Sequence, residues 1–421
     1  MESDSPMSRH VMRSLTTYEL DADGLAVARS IPRPDIPLHP VLSCATFFGA
    51  ADGEVPAIID VGQAAFVTAG RIAIARALDL IGVKPGDTVL LPAYHCPAMV
   101  EALVWMSARP AFYRLREDLS VDLDDAAAKL DSGARALMIA HYFGFPQDLH
   151  ATRSFCDAHG LALIEDCAHS FFGTEAGRPI GSVGDYAIGS LTKFFPVREG
   201  GCLVSARNDI GELDTRLRRQ GALSSLFTML DTVEDAMDFG RLWGLRPAVR
   251  AIGLAKRVLK PAFRSAIEMK SLNPAQRRAG TPGEFDDAWV DVRISATSLA
   301  VARLASRRRI ALRRRRHYAT LAAAFSGTRG CRPLLPDLPD GVVPYMFPLW
   351  IDDLDRLFRH LEDRAVPMHR FGQFPWPGVD DSVCRVSREL SRRSIQLPCH
   401  QELSDGEVQE MIDRVHAVLA A

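Results

Sequence analysis

The 421-residue chain lacks a dominant charge: 50 Lys and Arg stand against 52 Asp and Glu, a net charge of −2. That excludes a global field drawing it to nucleic acid or to an anionic membrane surface. The eight cysteines (Cys44, Cys96, Cys156, Cys167, Cys202, Cys331, Cys384, Cys399) include no CxxC pair, so neither a zinc knuckle nor a dithiol redox motif is written here. Several lie in apolar runs such as GGCLVS, where cysteine serves as a small hydrophobe. No apolar run reaches the roughly 18 residues of a membrane span. The N-terminal MESDSPMSRHVMRSL has no apolar signal core, so a cytoplasmic protein without metal is the expectation. Internal repeats and low-complexity tracts are also missing.

What is present is a 47% hydrophobic composition, enough for one large domain and a smaller one. Residues 1–55, Pro-rich in IPRPDIPLHP, read as an N-terminal arm packed on something else. From 56 onward, strands and helices alternate. DTVLLPAYHC, RPAFYRL, ARALMIAHYFG, LALIEDCAH, YAIGSL and GGCLVS read as strands. FVTAGRIAIARALDLIG, ahead of them, reads as a strand end, a turn and an amphipathic helix, and the helical patterns PAMVEALVWMS and HATRSFCDAHG lie between them. This alternation predicts an α/β domain over 56–285 with a mainly parallel sheet, whose ligands lie beyond the carboxyl ends of the strands. Within it, about 222–285 reads as a helical insertion. Residues 286–421 read as a long helix followed by a small α+β domain, with strands at PYMFPLWI and VPMHRF. The arginine runs Arg307–Arg309 and Arg313–Arg316 keep apolar Ile310, Leu312, Tyr318 and Leu321 at helical spacing between them. They are expected to form a solvated helix face or a subunit contact.

Three stretches carry chemistry. In TAGRIAIARAL, a small-residue turn opens a helix and exposes backbone N–H groups at its positive end, an anion site in waiting. Many strand–helix turns contain Gly, so this signal is weak alone. In IEDCAH, an apolar strand ends in Glu165, Asp166 and His169; such an Asp either caps a helix or holds a cationic ring nitrogen. In GSLTKFFPVREGG, Lys193 follows a strand directly, between a small polar stretch and two phenylalanines. Burial there would lower its pKa and free the amine as a nucleophile toward carbonyls, whereas a surface lysine would have no such role. Taken in order, a phosphate site, an acid at a strand end and a buried lysine are the parts a fold type I pyridoxal phosphate (PLP) enzyme needs.

At this point the sequence resembles the DegT/DnrJ/StrS-type sugar aminotransferases. Against the family's NSGTAAL, PAYTF, H-x-x-G, IEDAAQ or IEDAAH, G-x-x-G-D, S-F-x-x-x-K and G-G, this chain carries TAGRIAI, PAYHC, HYFG, IEDCAH, GSVGD, SLTK and EGG. The likeness continues through DVRISATSLAVARL, YMFPLWI and LPCHQELSDGEV, covering about residues 60–220 and 286–421. The resemblance implies a fold type I PLP-dependent transferase. Lys193 would form the Schiff base and move protons. Asp166 would pair with the pyridinium nitrogen, and His169 would lie over or beside the ring. Gly70 and Arg71 would give backbone N–H groups to the phosphate, and Ser190 a hydroxyl. Glu165 would be a structural neighbour.

The departures gather on the substrate side. Arg71 replaces the family's Thr, and its guanidinium either binds phosphate or points away. Cys96 replaces the ring-stacking aromatic, leaving His95 or Tyr94 as alternatives. The step from Ser190 to Lys193 is two residues shorter than usual. Asp291 stands where an Asn often reaches across from a partner subunit, and His369 and Arg370 are substrate-contact candidates. The resemblance implies transfer of an amino group, from glutamate by expectation, to a keto sugar carried on a nucleotide, in a homodimer with a shared site. Another PLP reaction on the same fold is the alternative, and a non-catalytic regulator a remoter one.

Overall fold

The computed structural model describes residues 14–20, 26–49, 55–242, 244 and 285–421. Its centre is a seven-stranded sheet. In chain order the strands are β3 (Gln63–Val67), β4 (Thr88–Pro92), β5 (Arg109–Tyr113), β6 (Ala134–Ala140), β7 (Ala162–Asp166), β10 (Tyr186–Ser190) and β11 (Gly201–Ser205). In space they run β3-β11-β10-β7-β6-β4-β5. All pairings from β10 to β5 are parallel, and β11 is antiparallel to both its neighbours. The outer pieces are the hairpin β1 (Ser14–Leu20) and β2 (Ala26–Pro32), and the small ribbon β8 (Thr174–Glu175) and β9 (Arg178–Pro179).

The central strands are apolar on both faces, as a sheet covered by helices requires: Val89–Leu91 and Ala136–Ile139 are solvent-free. Helix α1 (Gly70–Ile81) buries Ile72, Ile74, Ala75 and Leu78, and stops at Gly82, whose φ of 81° is the left-handed conformation glycine adopts freely. Helices α2 (Pro97–Trp105), α3 (Leu123–Ala128) and α4 (His150–His159) fill the crossovers. The carboxyl ends of β6, β7 and β10 therefore meet at one edge, beside the start of α1.

Beyond β11 come α5 (Gly211–Arg216) and α6 (Ala222–Asp238). Of the expected insertion at 222–285, α6 is the helical part, while 243 and 245–284 lie outside the described residues. The predicted long helix is two: α7 (Ala296–Leu304) and α8 (Arg307–Phe325). Ala305, in extended backbone, ends the first, and Ser306 caps the second, its hydroxyl accepting from the Arg309 N–H. Then follow β12 (Cys331–Pro333), β13 (Met346–Ile351), α9 (Leu354–Asp363), α10 (Arg385–Arg393), β14 (Ser394–Pro398) and α11 (Asp405–Leu419). β12, β13 and β14 form an antiparallel sheet, packed by Phe347, Leu349 and Leu397 against Tyr318, Leu321 and Phe325 of α8 and Met411 and Val415 of α11.

VPMHRF is not a strand. It makes a single bridge, His369 to Gln396, on the outer edge of the SIQLP strand β14. The arginine-rich helix also departs from expectation. Its guanidiniums are spent within the chain: Arg307 on Asp60, Arg309 on Glu402, Arg313 on the Leu403 carbonyl, Arg315 on the Pro339 and Val342 carbonyls, and Arg316 on Asp405. Arg314 is wholly buried. Residues 35–46 pack on this same region. Ile36 enters its core, the His400 imidazole meets the Pro37 carbonyl at 2.9 Å, and Ser43 and Thr46 donate to Glu402.

Candidate active site

β7 delivers two neighbouring carboxylates to opposite faces of the sheet, as strand geometry demands. Glu165 points into the protein. It accepts N–H groups from Gly181, Val183 and Gly184 and faces His141 Nε2 at 3.0 Å. Burial pushes its pKa up, but those donors prevail and hold it below the usual carboxylate range. Glu165 thus clamps the GSVGD turn. Asp166 points the other way, into a cavity of about 330 Å³. Its Oδ1 accepts from the Ala168 N–H at 2.8 Å. Burial raises its pKa, and the charge of Lys193 opposes that rise.

Lys193 ends a single 3-10 turn, Leu191–Lys193, that leaves β10 directly, so the short path from Ser190 is one tight turn. Arg314 fixes this turn from below. It donates to the Lys193 carbonyl at 2.8 Å and the Tyr345 carbonyl at 2.9 Å, and lies 4.4 Å from the Phe194 ring centroid. The ammonium sits 5.3 Å from the Tyr345 ring centroid. Burial lowers its pKa, while Cys96 and Asp166 pull the other way. His169 is held between aromatic faces, with Tyr345 at 4.6 Å and Phe143 at 6.2 Å, and Phe371 edge-on at 5.1 Å. The Phe143 N–H is directed at its Nδ1 (3.4 Å), which leaves Nε2 to carry the proton. Burial keeps the ring neutral.

At the other end of the cavity is the start of α1. Its N-cap, Ala69, has no side chain to satisfy the first N–H groups. Gly201 on β11 packs so closely that a Cβ there would sit 2.4 Å from Ala69 backbone atoms, and the Gly200 N–H holds the Thr68 carbonyl at 2.7 Å. The Thr68 hydroxyl is buried, lines the cavity and has no partner among the described residues. Ser190 and Thr192 place two more hydroxyls 3.2 Å apart on the same wall.

The structure thus brings Gly70, Arg71, Cys96, Asp166, His169, Ser190 and Lys193 around one cavity. Arg71 contributes its place in the helix start, while its guanidinium turns away to Glu101. Cys96 lines the cavity as the N-cap residue of α2, with burial raising its thiol pKa. His95 does not reach the cavity. Its ring stacks on Phe112 at 4.8 Å, Nδ1 faces the Pro92 and Ala93 carbonyls, and Nε2 accepts from the Trp376 N–H. Tyr94 is turned into the core against Phe371. Arg370 is also spent elsewhere, on the Ser391 and Arg392 carbonyls and on Asp355. His369 does not line the cavity, although Lys193 is near enough to help loss of water push its pKa down to about 4. Asp291 pairs with Arg76 at a separate surface pocket. Four residues that build or support the site were not singled out for it: Thr68 lay in the TAGR turn, Tyr345 and Phe371 in the stretches PYMFPLWI and VPMHRF, and Arg314 in an arginine run expected to be a solvated face or a subunit contact.

These groups fit PLP. A primary amine and a carboxylate face each other, a neutral imidazole lies beside them, and an unpartnered hydroxyl with an uncapped helix start suits a phosphate.

Residues 52–239 match the model of the DegT/DnrJ/EryC1/StrS aminotransferase family. The GDP-perosamine synthase of Vibrio cholerae is 30% identical over 248 residues, 56% of this chain and 66% of that enzyme. The dTDP-4-dehydro-2,3,6-trideoxy-D-glucose 4-aminotransferase of Saccharopolyspora spinosa is 25% identical across 84% of each chain. Among solved structures, the aminotransferase TlmJ from Streptoalloteichus hindustanus superposes with a TM-score of 0.58 at 21% identity, covering 91% of this chain and 99% of that one. An aminotransferase from Psychrobacter cryohalolentis gives 0.59 at 19% identity, covering 86% and 88%. At these identities the structural likeness speaks for the fold.

Proposed function

The chain belongs to the DegT/DnrJ/EryC1/StrS aminotransferase family and is an enzyme; from that premise, we propose that it moves an amino group from an amino acid, glutamate by preference, to a nucleotide-linked keto sugar, using PLP. The observation that carries this reading is Lys193 facing Asp166 across a cavity whose far end is an uncapped helix start. The related enzymes named for GDP- and dTDP-sugars support the acceptor class. We include in the proposal a cytoplasmic homodimer. No described helix is long and apolar enough to cross a membrane.

The residues divide the work as follows. The N–H groups at Gly70 and Arg71, with the hydroxyls of Thr68 and Ser190, would hold the phosphate. Asp166 would sit against the ring nitrogen and keep it protonated, because a buried carboxylate is stabilised by an adjacent cation. His169, neutral with its proton on Nε2, would donate to the ring's phenolic oxygen. Lys193 would anchor the cofactor and, once released, take the proton from the donor's Cα and return it to C4′, the cofactor's aldehyde carbon, on the other side of the amino nitrogen. Burial lowers its pKa, which favours the neutral amine that a base role needs. Tyr345, Phe143 and Phe371 exclude water from around His169. When bound, PLP supplies an aldehyde that accepts amines and a ring that spreads the negative charge left at Cα.

The test is a spectrum of the purified protein loaded with PLP and titrated with glutamate, followed by GDP- and dTDP-linked 4-keto sugars. Glutamate should bleach the cofactor band and a keto sugar should restore it. Lys193→Ala should lack the band of the lysine-bound cofactor; an unchanged spectrum in that variant would sink the assignment.

A further inference from the structure

Three cationic side chains other than histidine line the cavity: Arg71, Lys193 and Arg198. Arg71 is paired with Glu101, and Lys193 is assigned to the cofactor. Arg198 is different in kind. Its side chain is 55% exposed, and its partner is Asp235 on α6, with Nη1 2.5 Å from Oδ2. A single ion pair this open to water contributes little to folding and exchanges readily. Asp235 is a poor final partner as well. Burial pushes its carboxyl pKa up, and Arg198 offsets only part of that rise.

The neighbouring residue shows what a fixed group looks like on this loop. Glu199 accepts Gln220 Nε2 on both oxygens at 3.0 Å and the Ser295 N–H at 2.8 Å. The Glu199 side chain thereby ties the loop to Gln220, just before α6, and to the Ser295 cap of α7. On the far side, α6 is itself anchored, with Val233 and Ala236 in the core. The loop and the helix therefore keep station while the Arg198 side chain between them has room to swing.

We propose that Arg198 is the residue that recognises the carboxylate of the amino donor, exchanging Asp235 for it when the donor enters. An arginine suits this role because its planar fork binds a carboxylate through two parallel hydrogen bonds. Asp235 would act as a stand-in anion, holding the guanidinium at the cavity wall between turnovers. The acceptor half of the cycle, in which no amino acid is present, would leave the Arg198–Asp235 pair closed. This inference rests on the aminotransferase reading above.

The experiment measures the first half-reaction by the bleaching of the PLP band in single turnovers, as a function of glutamate and, separately, glutamine concentration. Parent protein that bleaches with neither donor refutes the aminotransferase reading itself. Given a competent parent, Arg198→Ala should raise the donor concentration at half-maximal rate by about tenfold or more, leaving the limiting rate within about threefold. Asp235→Asn should move the same constant the other way, since it removes the competing anion; a structural role for the pair would make both variants worse. Succinate, which cannot react, should perturb the parent's cofactor spectrum at lower concentration than it does that of Arg198→Ala. An equal effect with both donors, or a loss with glutamate alone, is in either case a carboxylate contact. Unchanged donor dependence in Arg198→Ala overturns the proposal. So does a loss confined to PLP affinity, which would place the guanidinium on the cofactor phosphate.

Discussion

Glu165 and Asp166 are adjacent in sequence and opposite in purpose, and the difference is decided by which face of β7 each occupies. Glu165 has its lone pairs filled by backbone donors, whereas Asp166 has one anchored oxygen and faces the cavity. Two substitutions separate them. Glu165→Gln cannot satisfy Gly181, Val183 and Gly184 together, so it should cost about 2–3 kcal/mol of stability, visible in chemical denaturation. Asp166→Asn should leave the melting temperature of the apo protein nearly unchanged, or raise it, because it removes a buried charge. It should also lower turnover by about 100-fold or more, through loss of the protonated ring nitrogen. The motif IEDCAH was enough to prefer Asp166, through its match to the family pattern. The aromatic cage around His169 was not legible. Tyr345 precedes β13 and Phe371 follows the His369 bridge, so their convergence depends on how the C-terminal sheet docks.

At the level of elements, the alternation of apolar runs made the parallel sheet readable, because a strand covered on both faces has little freedom of composition. Boundaries that depend on a single cap were not. Ala305 and Ser306 interrupt an arginine-rich periodic stretch that reads as continuous, through an extended backbone at Ala305 and the bond from the Arg309 N–H to the Ser306 hydroxyl. VPMHRF has the apolar content of a strand, but it meets the free edge of β14 at one position only, His369 with Gln396, and a lone bridge is not visible in the pattern. His95 and Arg370 misled for a similar reason: polar residues near a motif can be consumed by local carbonyls, and sequence does not show the carbonyls. The close contact between β11 and the start of α1 yields a further prediction. Gly201→Ala would drive a methyl group into Ala69 and the Gly70 nitrogen, so the helix start must shift. PLP affinity should fall by about tenfold as the phosphate donors move out of line, measured by fluorescence titration of the apo protein. The melting temperature of the apo protein should fall too.

Across the whole molecule, histidines are held neutral where the large sheet, the arm and the C-terminal sheet meet. His95 locks the Trp376 segment to β4, and burial pushes its pKa down to about 4. His400 ties the arm to the end of β14 through the Pro37 carbonyl, and His169 lies at the cavity; burial keeps both well below the ordinary value. In the unfolded chain each would take up a proton near pH 6.5. Between pH 6.5 and about 4 the unfolded state therefore binds more protons than the folded one, and stability must rise with pH. Each of these histidines contributes a slope of up to about 1.4 kcal/mol per pH unit within that window, and none above it. Through these histidines, denaturant midpoints of the apo protein should fall steeply as pH drops from about 6.5 toward 5. His95→Gln keeps a side chain able to accept from the Trp376 N–H but cannot titrate. It should lower stability at pH 7.5 yet flatten the acid limb, so that the variant and parent converge as pH falls. If the two curves stay parallel down to pH 5, His95 is not among the groups that set the acid limit.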